Sequence, residues 1–496
     1  MKALKTISRW GLTVLCLYAM PAKAQFAEDA LLFSQTQNGS SARILGMGGV
    51  QGSLGGDVSV ISANPAGLGF YNRSDFSVSP VLSISNASSE YFGGVGSALK
   101  GNFTIGHMGL VINNSKDDIQ KGLWRGGSFG ISFSRTNNFN SSIRVEGSNV
   151  SGDIAQYALD QANGAITYPA IGEVNDLIKW AYDHYLINPD SPDPNGNTYY
   201  AFVGDQLPYQ EISIRNSGWQ KQWTFAYGAN YNDRVYLGAN VGVSSVDYTS
   251  KRTITENFQG DSLLNNVLSE RYRTTGSGLN ATFGMIVRPL DFVTLGLSYA
   301  TPTLYQLKSE YTEGLVSNYN EGYYFAAEDF TFPDQLSSSS EVYISNYSQK
   351  TPGKLTLGAT AFIGKSGFIS ADVDMLNYGT NQLFADDFSV SEDNAYIKST
   401  FDQVFNYRVG GEYRLDILRF RVGVAYFGDP YNNVDDIDRS RLNVSGGVGV
   451  KTQDYYVDFA LVSSQTESYY SPFGYANGAV NTLKNTTALL TLGFTF

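Results

Sequence analysis

Cysteine is almost absent from this 496-residue chain: Cys16 is the single one. Beyond it there is no disulfide, no thiol nucleophile and no cysteine metal site. Histidine is nearly as scarce, with His107 and His184 alone. Neither lies in a pattern that sets it beside a serine and a carboxylate, as a hydrolase requires, and nothing in the sequence points to an enzyme, a cofactor or a metal centre. Charge is thin, 16% of residues, and leans acidic to a formal −12, which argues against nucleic acid as a partner. After the first 24 residues no stretch approaches the roughly 20 apolar residues of a transmembrane helix, so a membrane form of this chain would cross as strands.

Residues 1–24 read as a secretory leader: Lys2, Lys5 and Arg9, an apolar Leu12 to Met20, then Ala22-Lys23-Ala24 as an Ala-x-Ala cleavage site. The leader carries those basic residues and Lys23 with no acid, so cleavage before Gln25 takes the formal charge from −12 to −16. Cys16 follows Leu15 rather than a small residue, which speaks against lipid attachment.

What the chain does have is 34 Tyr, 29 Phe and a mean hydropathy of −0.20, the balance of a barrel with aromatic girdles outside and polar residues inside. Period-two alternation recurs over 75–85, 101–113, 127–147, 218–230, 234–256, 271–288, 291–309, 347–363, 367–379, 402–415, 417–428, 440–452, 454–466 and 486–496. The reading is all-β: a transmembrane antiparallel barrel of about 14 strands, an even number as a single-chain barrel requires. Asn232-Asp233, Pro289-Leu290, Lys365-Ser366, Leu415-Asp416 and Thr452-Gln453 make tight turns that alternate with long loops. Short turns belong to the periplasmic side, which puts both termini there. The connection Asn114 to Gly126 is long for such a turn.

The long loops are 149–217, 257–270, 310–346 and 380–401. The first holds a helical stripe of Val174, Leu177, Ile178, Ala181, Tyr182 and Tyr185, and Leu263, Leu264, Val267 and Leu268 repeat the pattern briefly. Asp435, Asp436 and Asp438 cluster in another outer loop without the spacing of an EF-hand. They read as a solvated acidic loop that divalent ions could bridge to lipopolysaccharide.

The chain is organised around Ala42 to Phe70, ARILGMGGVQGSLGGDVSVISANPAGLGF. Its glycines, Gly46, Gly48 and Gly49 among them, permit close backbone approach but supply no mass for a core of its own. A segment 25–72 folded as a plug inside the barrel of 73–496 answers that need. Asp57 and then Asn64-Pro65-Ala66-Gly67, just before the first strand, resemble the FadL family of outer-membrane transporters for long-chain fatty acids and other hydrophobic compounds, where an Asn-Pro-Ala motif hands the hatch over to the barrel. The resemblance extends more loosely to Thr351–Ala361 and Arg419–Tyr426. The chain departs from the family in placing its longest helical excursion after the third strand, where the family's main helical pair follows the fifth.

The resemblance implies passive uptake of a small hydrophobic molecule through an apolar pocket, plug movement and lateral exit. In that family the third strand is kinked inward and leaves a window to lipid; Asn137, Asn138, Phe139 and Asn140 stand at this place, and Asn tolerates the irregular backbone of a kink. The plug makes a general porin a poor reading. The alternative is a structural barrel, a subunit or anchor of an outer-membrane secretion or assembly complex that meets protein partners through its outer loops. At the C-terminus Leu490, Leu492, Phe494 and Phe496 form one stripe, which resembles the signal read by barrel-assembly machinery.

Overall fold

The computed structural model describes residues 25–36, 39–115, 122–148, 150, 152–193, 195–203, 206–260, 262–325, 329–432, 434–474 and 477–496. The leader, Cys16 included, lies outside them.

Fourteen antiparallel strands close into one barrel. They are β1 (Asp75–Tyr91), β2 (Gly94–Ser115), β3 (Trp124–Asn138, resuming as Ser141–Gly147), β4 (Tyr209–Tyr231), β5 (Val235–Asn257), β6 (Leu263–Leu290), β7 (Val293–Ala300 and Leu304–Tyr319) and β8 (Tyr343–Lys350 and Lys354–Ile363). Then follow β9 (Gly367–Asn377, with Gln382–Phe384), β10 (Gln403–Leu415), β11 (Leu418–Phe427), β12 (Arg441–Lys451), β13 (Tyr455–Tyr470) and β14 (Ala479–Thr495). Each pairs with its sequence neighbours, and β14 returns to β1 in the register Phe76↔Phe494 and Val78↔Leu492. Closure gives every strand a neighbour on each side, the condition for a sheet to stand in hydrocarbon, with the β2–β3 ladder paired over only part of its length.

Alternation sorts the side chains into two faces. Outside lie Phe103, Phe225, Phe283, Val422 and Phe459, all exposed, and inside lie Ser132, Thr224, Thr294, Asp372 and Arg421, all buried. That is the inverse of a soluble barrel and the pattern of one that faces lipid. At the tight turns, Asn232 and Asp233 (φ 55° and 54°) and Asp416 (φ 53°) take the left-handed conformation that short polar side chains tolerate. Strand breaks at 301–303 and 351–353 fall side by side around Pro302 and Pro352, which cannot donate to a ladder; the Thr351 amide spans the break to the Thr303 carbonyl at 3.0 Å.

Several of the long loops are shorter than their sequence suggests. Leu263, Leu264, Val267 and Leu268 stand in β6 rather than in a helix, and β7 runs on to Tyr319, deep into the expected 310–346 loop. The Leu/Val spacing suits a helix taken alone, but residues 265–279 find a partner strand on both sides, β5 and β7, and ladder pairing overrides so weak a preference. β6 therefore reaches 28 residues while β11 has 10, and the wall is tall on one side. The connection noted as long for a turn joins β2, ending at Ser115, to β3, starting at Trp124, and most of it lies outside the described residues.

Above the tall side sits a cap. Helices α4 (Ile154–Ala162) and α5 (Asp176–Asp183) bury Ile154, Tyr157, Ala158, Leu177, Ile178 and Trp180 among Phe332, Tyr319 and Leu263. Val174 and Tyr185, read as part of the helical stripe, lie just outside α5. Asp153 caps α4 by accepting from the Gln156 amide at 2.7 Å. His184 is buried between the Ser317 and Ser338 hydroxyls, each at 3.0 Å, a structural position.

The N-terminal segment packs on inward-facing positions around the wall. It contains α1 (Gln25–Ser34), α2 (Ala42–Leu45), α3 (Val60–Ala63) and a 3-10 turn, Pro65–Phe70. Asn64 opens that turn, accepting from the Ala66 amide at 3.2 Å and donating to the Gly52 carbonyl at 2.6 Å. The chain thus does not swing from Asn64-Pro65 into the first strand; held by Asn64, it makes the extra 3-10 turn and enters β1 only at Asp75.

Candidate functional site: an interrupted ladder and the segment behind it

The β2–β3 ladder runs from Ser115↔Gly126 to His107↔Ser134 and stops. Beyond it β2 pairs only with β1 as far as Gly94, while β3 stays with β4, irregular between Arg135 and Asn137 and broken at 139–140. The two strands meet again at the loop end, where a Cβ on Gly96 would fall 1.9 Å from the Arg144 carbonyl oxygen. Between these points lies a gap in the ladder.

The asparagine run serves the freed backbone. Gly218, at φ 124°, turns its carbonyl out of the ladder, and that oxygen accepts from Arg135 Nη2 at 2.9 Å, Asn140 Nδ2 at 3.2 Å and the Phe139 amide at 3.4 Å. Asn138 Oδ1 accepts from Asn140 Nδ2 at 2.7 Å and from Asn102 Nδ2, across the gap, at 3.3 Å. Lys100 reaches over to the Asn216 carbonyl. Unpaired backbone groups in hydrocarbon cost several kcal/mol each, and these side chains remove much of that cost. On the outer threshold Leu99 and Phe103 are 72% and 73% exposed.

Behind the gap lies the N-terminal segment. A Cβ on Gly39 would sit 2.8 Å from the Arg135 carbonyl oxygen and 3.0 Å from that of Gly106, so bare backbone fills the space between the parted strands. Asn137 Nδ2 donates to the Leu32 carbonyl of α1 at 3.5 Å. Phe139 turns inward against Phe33 and Tyr248, with ring centroids 5.9 and 5.1 Å away. Around α1 stand Tyr248, Tyr272, Tyr305 and Tyr347 with Leu307 and Leu376, an apolar compartment edged with hydroxyls.

Two carboxylates of α1 are held in this compartment. Tyr272 donates to Asp29, whose carboxyl burial pushes up to about 7 against the lowering effect of that hydrogen bond. Glu28 accepts from Tyr431 at 2.5 Å and Tyr396 at 3.3 Å, and burial raises it as well. Sequence reading passed over α1 and Gly39, although Phe26, Ala27, Ala30 and Leu31 already follow helical spacing.

Toward the short-turn end the segment is bound by charge. Arg43 Nε donates to Glu412 at 3.2 Å and its Nη1 to the Gly56 carbonyl at 2.8 Å. Asp57 accepts from Ser41 at 2.8 Å and Ser59 at 2.6 Å. Burial alone would raise its carboxyl, but Arg43 and these hydroxyls hold it below the usual range. Asp372 accepts from the Gln51 and Gly52 amides at 2.8 and 2.9 Å.

The predicted plug residues Gly46, Gly48, Gly49, Asp57, Asn64, Pro65, Ala66 and Gly67 all belong to this segment, with Gly48 and Gly49 at φ 71° and 83°. Asn137–Asn140 border the gap. Leu492, Phe494 and Phe496 are 36%, 56% and 66% exposed, on the outer face and at the chain end. His107 is buried at the last β2–β3 pair. Asp435 forms an ion pair with Arg439, Asp438 accepts from the Ser440 amide at 2.9 Å, and Asp436 is in the same exposed loop.

No protein-family model matches the chain, and no curated protein matches it. Solved structures do. A FadL homologue from Pseudomonas aeruginosa aligns at TM-score 0.55 and 15% identity, over 92% of this chain and 98% of that one. The toluene transporter TodX of P. putida gives 0.51 and 13% over 92% and 99%, and the toluene transporter TbuX of Ralstonia pickettii 0.50 and 13% over 94% and 100%. At these identities the likeness is one of fold: the chain is a closed 14-strand barrel of the FadL type.

Proposed function

We propose that this chain is an outer-membrane channel for the passive uptake of small hydrophobic molecules, with 25–72 as its plug, the short turns and both termini in the periplasm, and a lateral exit through the β2–β3 gap. The observation that carries the reading is that the β2–β3 ladder stops at His107↔Ser134 beside an apolar compartment. A polar lipopolysaccharide layer bars greasy solutes, and a route ending in the wall would deliver them to hydrocarbon without a water-filled pore. Leu99, Phe103 and Ile105 give the gap an apolar outer threshold. The likeness in fold to a FadL homologue and two toluene transporters supports the same class of cargo. Lipid and lipopolysaccharide would surround the barrel, and the barrel-assembly machinery would insert it.

The test replaces Asn137-Asn138-Phe139-Asn140 with Val-Thr-Val-Thr, which favours a regular ladder. Uptake of a labelled long-chain fatty acid and of toluene is then measured in cells, with surface expression checked in parallel. Loss of uptake by a folded variant is expected. Unchanged uptake would remove the lateral route, and no uptake even by the native chain would favour the subunit or anchor reading.

A further inference from the structure

A cavity of about 280 Å³ opens at the short-turn end, between the Gly55-Gly56 backbone and the ends of β10 to β13. Its three acids are already taken. Glu412 is shared by Arg43 at 3.2 Å, Arg414 at 2.8 Å and Arg421 at 2.8 Å. Asp458 is held by Arg421 at 2.7 Å, and Asp57 by Arg43 at 3.8 Å together with its two serines.

Two cations of the lining form no ion pair among the described residues, although Asp57, Asp75 and Asp458 act on Lys451 and Glu412 on Arg419 from farther away. Among the described residues Arg419 donates only to the backbone carbonyls of Asp416 and Leu418, at 2.5 and 2.8 Å. Lys451 lies 5.2 Å from the centroid of the Tyr456 ring and makes no ion pair among the described residues. Five cations therefore face three acids in one open cavity, in a chain whose formal charge is −12. The surplus runs against composition, and a cavity in which cations outnumber acids favours an anion.

We propose that this cavity is an anion site that takes a single carboxylate or phosphate group, with Arg419 and Lys451 as its free donors. At ~30 Å³ per water, its volume equals about nine waters. That admits a hydrated headgroup or free oxyanion but no acyl chain. A guanidinium and an ammonium on one anion give charge-assisted bonds of about twice the ordinary strength, and their position at an open mouth makes the affinity fall with salt. The proposal is independent of the lateral route and names a ligand at the opposite end of the molecule from the cap.

The test uses the full chain purified in a neutral detergent. Inorganic phosphate and acetate are titrated by calorimetry at constant ionic strength, and the protein is also captured in nanodiscs of phosphatidylcholine with and without phosphatidylglycerol. Native protein should bind at least one of these anions, and the double variant Arg419→Gln, Lys451→Gln should bind it at least tenfold more weakly. Lys451→Glu, at the exposed rim, repeats the test without touching half-buried Arg419. Binding of phosphate or acetate identifies a free anion as the source, and a dependence on phosphatidylglycerol alone identifies a lipid headgroup. Equal binding by native protein and both variants, or no binding of any probe, overturns the site.

Discussion

Arg43 Nε donates to Glu412 Oε2 at 3.2 Å across the boundary between the N-terminal segment and β10. Both side chains are almost wholly out of solvent. Removing one partner of a buried pair typically costs about 3–5 kcal/mol. Arg414 and Arg421 remain on Glu412, so Arg43→Met should fall at the lower end of that range, mostly through Asp57, which loses its only arginine. We expect a lower unfolding midpoint in urea and noisier currents in planar bilayers. Native-like values in both would show that Arg43 does not hold the segment.

Gly39 has no room for a side chain, because the nearest atoms to a Cβ are the backbone of Arg135 and Gly106. Gly39→Val should drive the segment out of the gap and speed amide exchange in residues 99–106 of β2. Gly101→Val is the control, since a Cβ there meets nothing within 4 Å. Equal exchange in the two variants would count against Gly39 as the stopper.

Asp29 should make the docking of α1 depend on pH. Its carboxyl titrates near 3.8 in water and is pushed up to about 7 when buried. The docked form therefore holds its proton more tightly, so this contribution is complete below about pH 4, declines as pH rises, and is gone above about pH 7. Each tenfold in proton affinity corresponds to about 1.4 kcal/mol. Amide exchange of residues 25–34 should quicken between pH 5 and 8 in the native chain, after correction for intrinsic rates, and far less in Asp29→Asn. Glu28, also raised by burial, would contribute with the same sign.

Phe496 does two things that can be separated. Its amide donates to the Ser74 carbonyl at 3.0 Å and its carbonyl accepts from the Ser74 amide at 2.9 Å, which completes the β14–β1 seam. Its ring lies outside, 66% exposed. Deleting the residue removes both features, whereas Phe496→Ala keeps the backbone pair. Heat-modifiable barrel recovered from the outer membrane should drop in both variants. Full recovery of Phe496→Ala alone would assign the effect to the seam.

The barrel was legible because its signal is local: the stretch 234–256, chosen on alternation, stands as Val235–Asn257, and 417–428 as Leu418–Phe427. Asn137–Asn140 stood out through the family resemblance and because a run of Asn tolerates irregular backbone. Leu263–Leu268 misled because the pairs Leu263-Leu264 and Val267-Leu268 fit either period, and only the strands on each side decide. Gly39 could not be found at all. Its importance lies in what surrounds it, Arg135 and Gly106, each far away in sequence.

Where the N-terminal segment touches the wall, the wall is often glycine. A Cβ on Gly423 would fall 2.1 Å from the Gly48 amide nitrogen, one on Gly296 2.0 Å from the Gly52 carbonyl oxygen, and one on Gly238 2.3 Å from the Pro65 carbonyl carbon. Along its own strand each notch is one residue wide, because the neighbouring inward positions carry side chains, while Gly410, Gly358 and Gly228 continue it onto the paired strand. A segment seated in such notches has no smooth track along which to slide. Its departures would be whole steps, each breaking several notches together, and a recording of single molecules would register them as discrete levels rather than as drift.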